Sequence, residues 1–194
     1  MITYDVLRHA CTPRVEGIYL NWKADTFYRN LDAEGVAQAL KLHDRYKQED
    51  TPLKLGLYSP APRAMYTLAI AIAGHEIPIL PLKELFTPEG PDGEVLNVGF
   101  ENFNNDLPSY IADTQLFSAL ETFGNTAAAA IKSEVEKLGI KDGVVVVSNH
   151  AVTGNFVACA LSNWKADKVC FNTQMGYADR MRVQGENVEH LPFL

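Results

Sequence analysis

Tyr4-Asp5-Val6-Leu7-Arg8-His9-Ala10 is an apolar run that stops at an arginine and a histidine. Residues 2–7 have the composition of a buried strand, which puts Arg8 and His9 at its carboxyl end. Leu53–Tyr58 reads as a second strand, and Ser59-Pro60-Ala61-Pro62-Arg63-Ala64 follows it. The continuous β-branched run Val144–Val147 reads as a strand buried on both faces, and Ser148-Asn149-His150-Ala151 follows it. Helical patterns fill the intervals, so the chain reads as α/β with a mostly parallel sheet. In such a sheet ligands bind beyond the carboxyl ends of the strands. Here three strand ends deliver polar or charged residues to that one edge.

The rest of the chain is read around this frame. Residues 10–30 lack periodicity and are expected to form a long loop. Asp32 is a helix N-cap residue type, and Val36, Leu40 and the Leu42/His43 region recur at helical spacing to about Tyr46. Gly35 in the first turn implies a close backbone approach. Ser59 is expected to cap a second helix with Pro60 at its first position, running through Arg63, Thr67 and Ile70 to about Gly74. Ile77–Leu80 reads as a short strand. Residues 81–112 are rich in Pro, Gly and Asn and read as a long loop, a length usually tied to function. Residues 113–138 read as a helix interrupted near Gly124-Asn125, Lys141-Asp142-Gly143 as a turn, and 152–162 as a helix. Lys168–Asn172 and Arg180–Val183 read as strands.

A chain of 194 residues most often forms one domain with a full core, so 1–194 is expected to be a single domain. A net charge of -7 argues against nucleic-acid binding and requires any anion site to be a local arginine cluster. Cys11, Cys159 and Cys170 form no Cys-x-x-Cys pair, which suggests reduced thiols in the cytoplasm. The N-terminus has neither the basic nor the apolar region of a signal peptide. The apolar runs Leu68–Ala73 and Val144–Val147 are too short to span a bilayer, so no membrane partner is expected. A homodimer is allowed but not indicated.

The residues at the shared edge suit phosphate chemistry. Arginines present planar forks to phosphate oxygens, which a lysine matches less well. A neutral histidine is a nucleophile, and neighbouring arginines disfavour its charged form. A second histidine can hold or protonate the phosphoryl group. A phosphohistidine would split one hard displacement into two easier ones, with a carboxylic acid protonating the leaving oxygen.

Leu7-Arg8-His9-Ala10 resembles the Arg-His-Gly signature of the histidine phosphatase superfamily, the group that contains cofactor-dependent phosphoglycerate mutase. Leu31-Asp32-Ala33-Glu34-Gly35, with Gln38-Ala39, resembles that family's Leu-Thr-x-x-Gly-x-x-Gln-Ala helix start. Ser59-Pro60-Ala61-Pro62-Arg63-Ala64, with Thr67, resembles its Ser-x-x-x-Arg-Ala-x-x-Thr motif. Val147-Ser148-Asn149-His150 resembles its second histidine behind a Val-rich strand. The resemblance implies a three-layer α/β/α sandwich of the phosphoglycerate mutase-like type. It also implies a small phosphorylated substrate and no cofactor. His9 would be the nucleophile, and Arg8, Arg63 and His150 would form the phosphate pocket. Leu82-Lys83-Glu84 resembles the family's Leu-x-Glu segment, making Glu84 the first choice of acid and Glu89 its rival. Residues 81–112 would then be a lid.

The sequence also departs from the pattern. Ala10 replaces the usual Gly, Cys11-Thr12 the usual acidic residue and Thr, and Val15 the usual Asn. Arg14 is the candidate substitute for that lost phosphate contact. Ala151 follows the second histidine where Gly is common. The expected activity is a metal-independent phosphatase, with a phosphomutase and a non-catalytic phospho-ligand binder as alternatives. A thiol phosphatase would need a Cys followed by five residues and then Arg; after Cys11, Arg14 comes too soon and position 17 is Gly. The histidines show no His-x-x-x-His pairing, so no metal site is expected. His43 and His75 are expected at the solvated surface, and His190 has no motif around it.

Overall fold

β4 (Gly143–Asn149) lies at the centre of the sheet, and all of its residues are buried. The structure, a computed structural model, describes residues 1–13 and 29–193. The sheet runs β3-β2-β4-β1-β5-β6. β1 (Ile2–Arg8), β2 (Leu53–Tyr58) and β3 (Ile79–Pro81) are parallel to β4 or to one another. β5 (Arg180–Gln184) and β6 (Asn187–Leu191) close one side antiparallel.

The valines of β4 alternate between two cores, as the period of a strand requires. Val144 and Val146 join Leu7 and Leu53 against Leu42 and Tyr46 of α1 (Ala33–Gln48) and Leu68 and Ala71 of α2 (Pro62–Ala71). Val145 and Val147 join Val6, Leu55 and Leu57 against α5 (Thr114–Lys137) and α6 (Ala151–Leu161). The result is helix, sheet, helix, the expected three layers. Each fully buried Val or Leu contributes roughly 1.5–3 kcal/mol, so displacing β4 would disturb both cores together.

Register brings the functional edge together. Arg8 stands opposite Asn149 and Tyr58 opposite Ser148. The pairing continues one residue further: His9 N–H donates to Asn149 O at 2.9 Å, and Ser59 N–H to Ser148 O at 3.0 Å. Three chain segments therefore leave the sheet at one level.

Several local expectations are corrected. Helix α2 starts at Pro62 behind Ala61 rather than at Pro60 behind Ser59; Pro62 sits where its missing N–H costs nothing. Residues 81–112 are largely helical, with a 3₁₀ turn at Lys83–Leu85, α3 (Pro91–Phe103) and α4 (Leu107–Ala112). Their prolines stand in first turns, where they start helices instead of breaking them. Helix α5 runs unbroken through Gly124, whose hydrogen faces α6: a Cβ there would lie 2.8 Å from Phe156 O.

Lys168–Asn172 is not a strand but part of a short helix, α7 (Asp167–Asn172). Val169 is exposed and the adjacent Cys170 is buried, a pattern of too few residues to separate a single helical turn from a strand. β6 was not anticipated from the sequence, and neither was the ionic cluster that ties β5 to the sheet. Buried Asp5 of β1 accepts from Arg182 Nε and Nη2, both at 2.8 Å, and from Arg180 Nη1 at 3.0 Å. Glu49, just beyond α1, accepts from both arginines as well. The cluster pins the antiparallel register, since a slip would strand a buried carboxylate.

Candidate active site

His9 is held in one orientation and one tautomer. Its Nδ1 lies 2.8 Å from Ala10 O. A carbonyl only accepts, so Nδ1 carries the hydrogen and Nε2 keeps its lone pair. Arg63 Nε donates towards that lone pair at 3.2 Å. The ring is buried, and burial followed by the charge of Arg63 holds its pKa well below the ordinary histidine value. His9 is thus a neutral imidazole whose Nε2 lone pair faces Arg63.

The peptide behind it is anchored from both helices of the adjoining layer. Ala10 N–H donates to Thr67 Oγ1 at 3.0 Å, and Thr67 Oγ1 donates to Arg63 O at 2.7 Å. Cys11 N–H donates to Gln38 Oε1 of α1 at 2.8 Å. Gly35 permits that contact, because a Cβ there would lie 2.1 Å from Cys11 O. Helix α1 begins on schedule: Asp32 accepts from Gly35 N–H at 2.7 Å.

His150 is the N-cap residue of α6 and faces His9, ring centroids 5.3 Å apart. Its Nε2 is 3.0 Å from Ser59 Oγ, so Ser59 serves this ring instead of capping α2. Burial, then Arg63, also holds the His150 pKa well below the ordinary value. Arg8 and Arg63 are both buried at this edge. Burial lowers the Arg8 pKa, with Tyr177 and Asp179 opposing. Arg8 Nε, His150 Nδ1, Thr12 Oγ1 and Asn149 Nδ2 are buried polar atoms without a partner among the described residues. Buried polar atoms without a partner are costly unless something satisfies them.

The structure therefore brings Arg8, His9, Arg63 and His150 together. Arg14 and Val15 lie outside the described residues. Glu84 follows β3, whose carboxyl end is on the same edge; Leu82 N–H donates to Tyr58 O at 2.9 Å. Among the described residues Glu84 pairs with Lys83 at 4.0 Å and makes no hydrogen bond to His9 or His150. Glu89 is exposed. Burial, then Asp32, raises the Cys11 thiol pKa, so Cys11 is no thiolate nucleophile. His43 and His75 are half-buried rather than solvated, and each has a buried ring nitrogen lacking a partner among the described residues. Among the described residues no group of His, Cys, Asp or Glu is arranged to hold a metal ion, and no helix is long and apolar enough to cross a membrane.

Two neighbours escaped the sequence reading. Arg29 adds positive charge felt by His9, His150 and Arg8. Tyr177 lies under Arg8, with Cζ 4.1 Å from the ring centroid, and its ring centroid is 5.7 Å from that of His9. Neither carries a periodic signal. Tyr177 arrives on a turn between α7 and β5, where Asp179 accepts from Gly176 N–H at 2.6 Å and from His190 Nε2 at 3.0 Å.

The sequence matches no family model and no curated protein. Solved structures do match the fold. A mycobacterial glucosyl-3-phosphoglycerate phosphatase aligns over 93% of this chain and 88% of its own, with TM-score 0.63 and 14% identity. The alpha-ribazole phosphatase from Shigella flexneri aligns over 99% and 95%, with TM-score 0.57 and 16% identity. A phosphoserine phosphatase from Entamoeba histolytica aligns over 100% and 96%, with TM-score 0.56 and 14% identity. The chain shares the fold of these phosphatases. At these identities the likeness shows a shared fold and leaves the activity and substrate open.

Proposed function

We propose that the chain is a metal-independent phosphatase that hydrolyses a small phosphomonoester through phospho-His9. The observation that carries this is the state of His9: neutral, with Nδ1–H spent on Ala10 O and Nε2 facing Arg63. The phosphatase names of the superfamily neighbours support the same reading.

The substrate phosphate would occupy the pocket of Arg8, Arg63 and His150. Nε2 of His9 attacks phosphorus, forming the N–P bond as the bond to the leaving oxygen breaks. The arginines neutralise the equatorial oxygens, doing electrostatic work that phosphoryl transfer depends on. Glu84 gives its proton to the leaving oxygen. Water then attacks phospho-His9, Glu84 takes the proton back, and inorganic phosphate leaves. Residues 81–112 form the lid that selects the leaving group and carries Glu84. Leu107 N–H of this segment donates to Gln174 Oε1 at 3.0 Å, one residue before Met175, whose carbonyl accepts from Arg8.

The test is turnover of an aryl phosphate at slightly acidic pH with chelator present, comparing wild type with His9→Ala. Chelator-resistant activity that vanishes in the variant is expected. Equal activity in the variant would remove His9 as nucleophile. Phosphate binding without turnover would make the chain a phospho-ligand binder.

A further inference from the structure

We infer that Tyr177 is a positioning residue that decides which edge of Arg8 faces the phosphate, an inference that rests on the phosphatase reading above. The Arg8 guanidinium has few directions left to it. Nη1 donates to Met175 O at 2.5 Å. The face of the group is covered by the Tyr177 ring at 4.1 Å. Nε, which shares an edge with Nη2, is buried without a partner among the described residues. That edge carries two parallel N–H bonds, the geometry that binds phosphate oxygens in pairs. Rotation of the guanidinium would keep its charge in place and lose the pair.

Tyr177 is itself held rigidly. Asp179 N–H donates to Gly176 O at 3.2 Å, and Ala178 between them is in the left-handed region at φ 61°. Asp179 Oδ1 accepts from Phe193 N–H at 2.7 Å, and its Oδ2 from Gly176 N–H and His190 Nε2. The same turn is stitched to the nucleophile strand: Arg8 N–H donates to Asp179 O at 2.9 Å and Ala178 N–H to His9 O at 3.4 Å. Backbone hydrogen bonds thus join the turn that carries the ring to the strand end that carries Arg8 and His9. A cation over an aromatic face is attracted to it whether or not the ring bears a hydroxyl; the Tyr177 hydroxyl also hydrogen-bonds to Arg8 and supports its charge, and the Phe variant separates the ring from the phenol oxygen.

The experiment compares wild type, Tyr177→Phe, Tyr177→Leu and Arg8→Lys, and combines the last two. Inorganic phosphate binding is measured by calorimetry, vanadate inhibition by aryl phosphate turnover, and folding by thermal melting. Tyr177→Leu is expected to weaken phosphate binding about ten-fold and vanadate inhibition by more. Tyr177→Phe is expected to restore most of the loss. Adding Tyr177→Leu to Arg8→Lys is expected to cost little further, since the two act through one contact. Full additivity, or equal phosphate affinity in wild type and Tyr177→Leu, overturns the inference and leaves the phosphatase reading intact. A Phe variant as weak as Leu overturns the role of the ring. If the Leu variant does not fold, the Phe and Arg8→Lys comparison decides alone: a Phe variant at wild-type phosphate affinity sustains the inference, and a large loss ends it. A wild-type protein that neither binds phosphate nor turns over an aryl phosphate overturns both readings.

Discussion

Thr67 ties together two residues of the candidate site. It accepts from Ala10 N–H and donates to Arg63 O, so one hydroxyl joins the peptide behind His9 to the helix bearing Arg63. Thr67→Val keeps the volume and removes both bonds, leaving Ala10 N–H buried and unpaired at a cost of about 1–3 kcal/mol. We expect a fall in kcat of at least ten-fold, with Thr67→Ser restoring most of it; steady-state kinetics on an aryl phosphate checks this, and a fully active Val variant would remove Thr67 from the linkage. Arg63→Lys keeps charge but loses the planar donor set, so kcat/KM should drop by on the order of 100-fold. Unchanged turnover would take Arg63 out of the pocket. The residues that lie next to strand ends or in helix-start motifs were legible in the sequence: Arg8, His9, Arg63 and His150 converge because three strands end in register. Tyr177 and Arg29 were not. They reach the site from segments without periodicity, where the chain path depends on tertiary contacts alone.

Helix α1 has to meet the chain just after His9, and its sequence is built for that meeting. Gly35 and Gln38 lie one turn apart, the first making room for Cys11 O and the second accepting from Cys11 N–H. Gly35→Ala would put a methyl group into a backbone carbonyl, which cannot swing aside as a side chain can. A destabilisation of about 1–3 kcal/mol is expected, measured by denaturant unfolding, together with loss of turnover; a stable, active variant would show that Cys11 yields freely. Glu84 is the acid that the proposed mechanism calls on. Glu84→Gln should reduce kcat most for alkyl phosphates and least for activated aryl phosphates, whose leaving oxygen needs no proton. An equal loss on both would disqualify it as the acid. Elements with a long or doubly buried pattern were readable from sequence, β4 and α1 above all. The lid was not, because Pro and Gly mark helix starts as readily as loops. α7 was not, because a segment of six residues shows one buried side chain and no period.

At the scale of the whole molecule, the net charge of -7 already required any anion site to be an island of arginine. The parallel half of the sheet followed from alternating strands and helices. The antiparallel edge did not, since β5 and β6 are placed by Asp5, Arg180, Arg182 and Glu49, a cluster whose partners are distant in sequence. The island has a consequence for stability. His9 and His150 are held neutral in the fold, with pKa values well below the ordinary one, whereas in the unfolded chain each titrates near about 6.5. Below that pH the unfolded state takes up protons that the folded state refuses, so stability falls as pH falls, until the folded pKa values are reached. Each histidine contributes a slope approaching about 1.4 kcal/mol per pH unit in that window. Urea unfolding between about pH 6.5 and 5 should show this loss, and His9→Asn and His150→Asn should each remove part of it. Saturating phosphate should flatten the slope too, because a bound anion favours the imidazolium forms and raises the folded pKa values. A slope unchanged in both variants would mean that the two rings are open to protons in the folded protein, and His9 would then lose the neutral state on which its role as nucleophile depends.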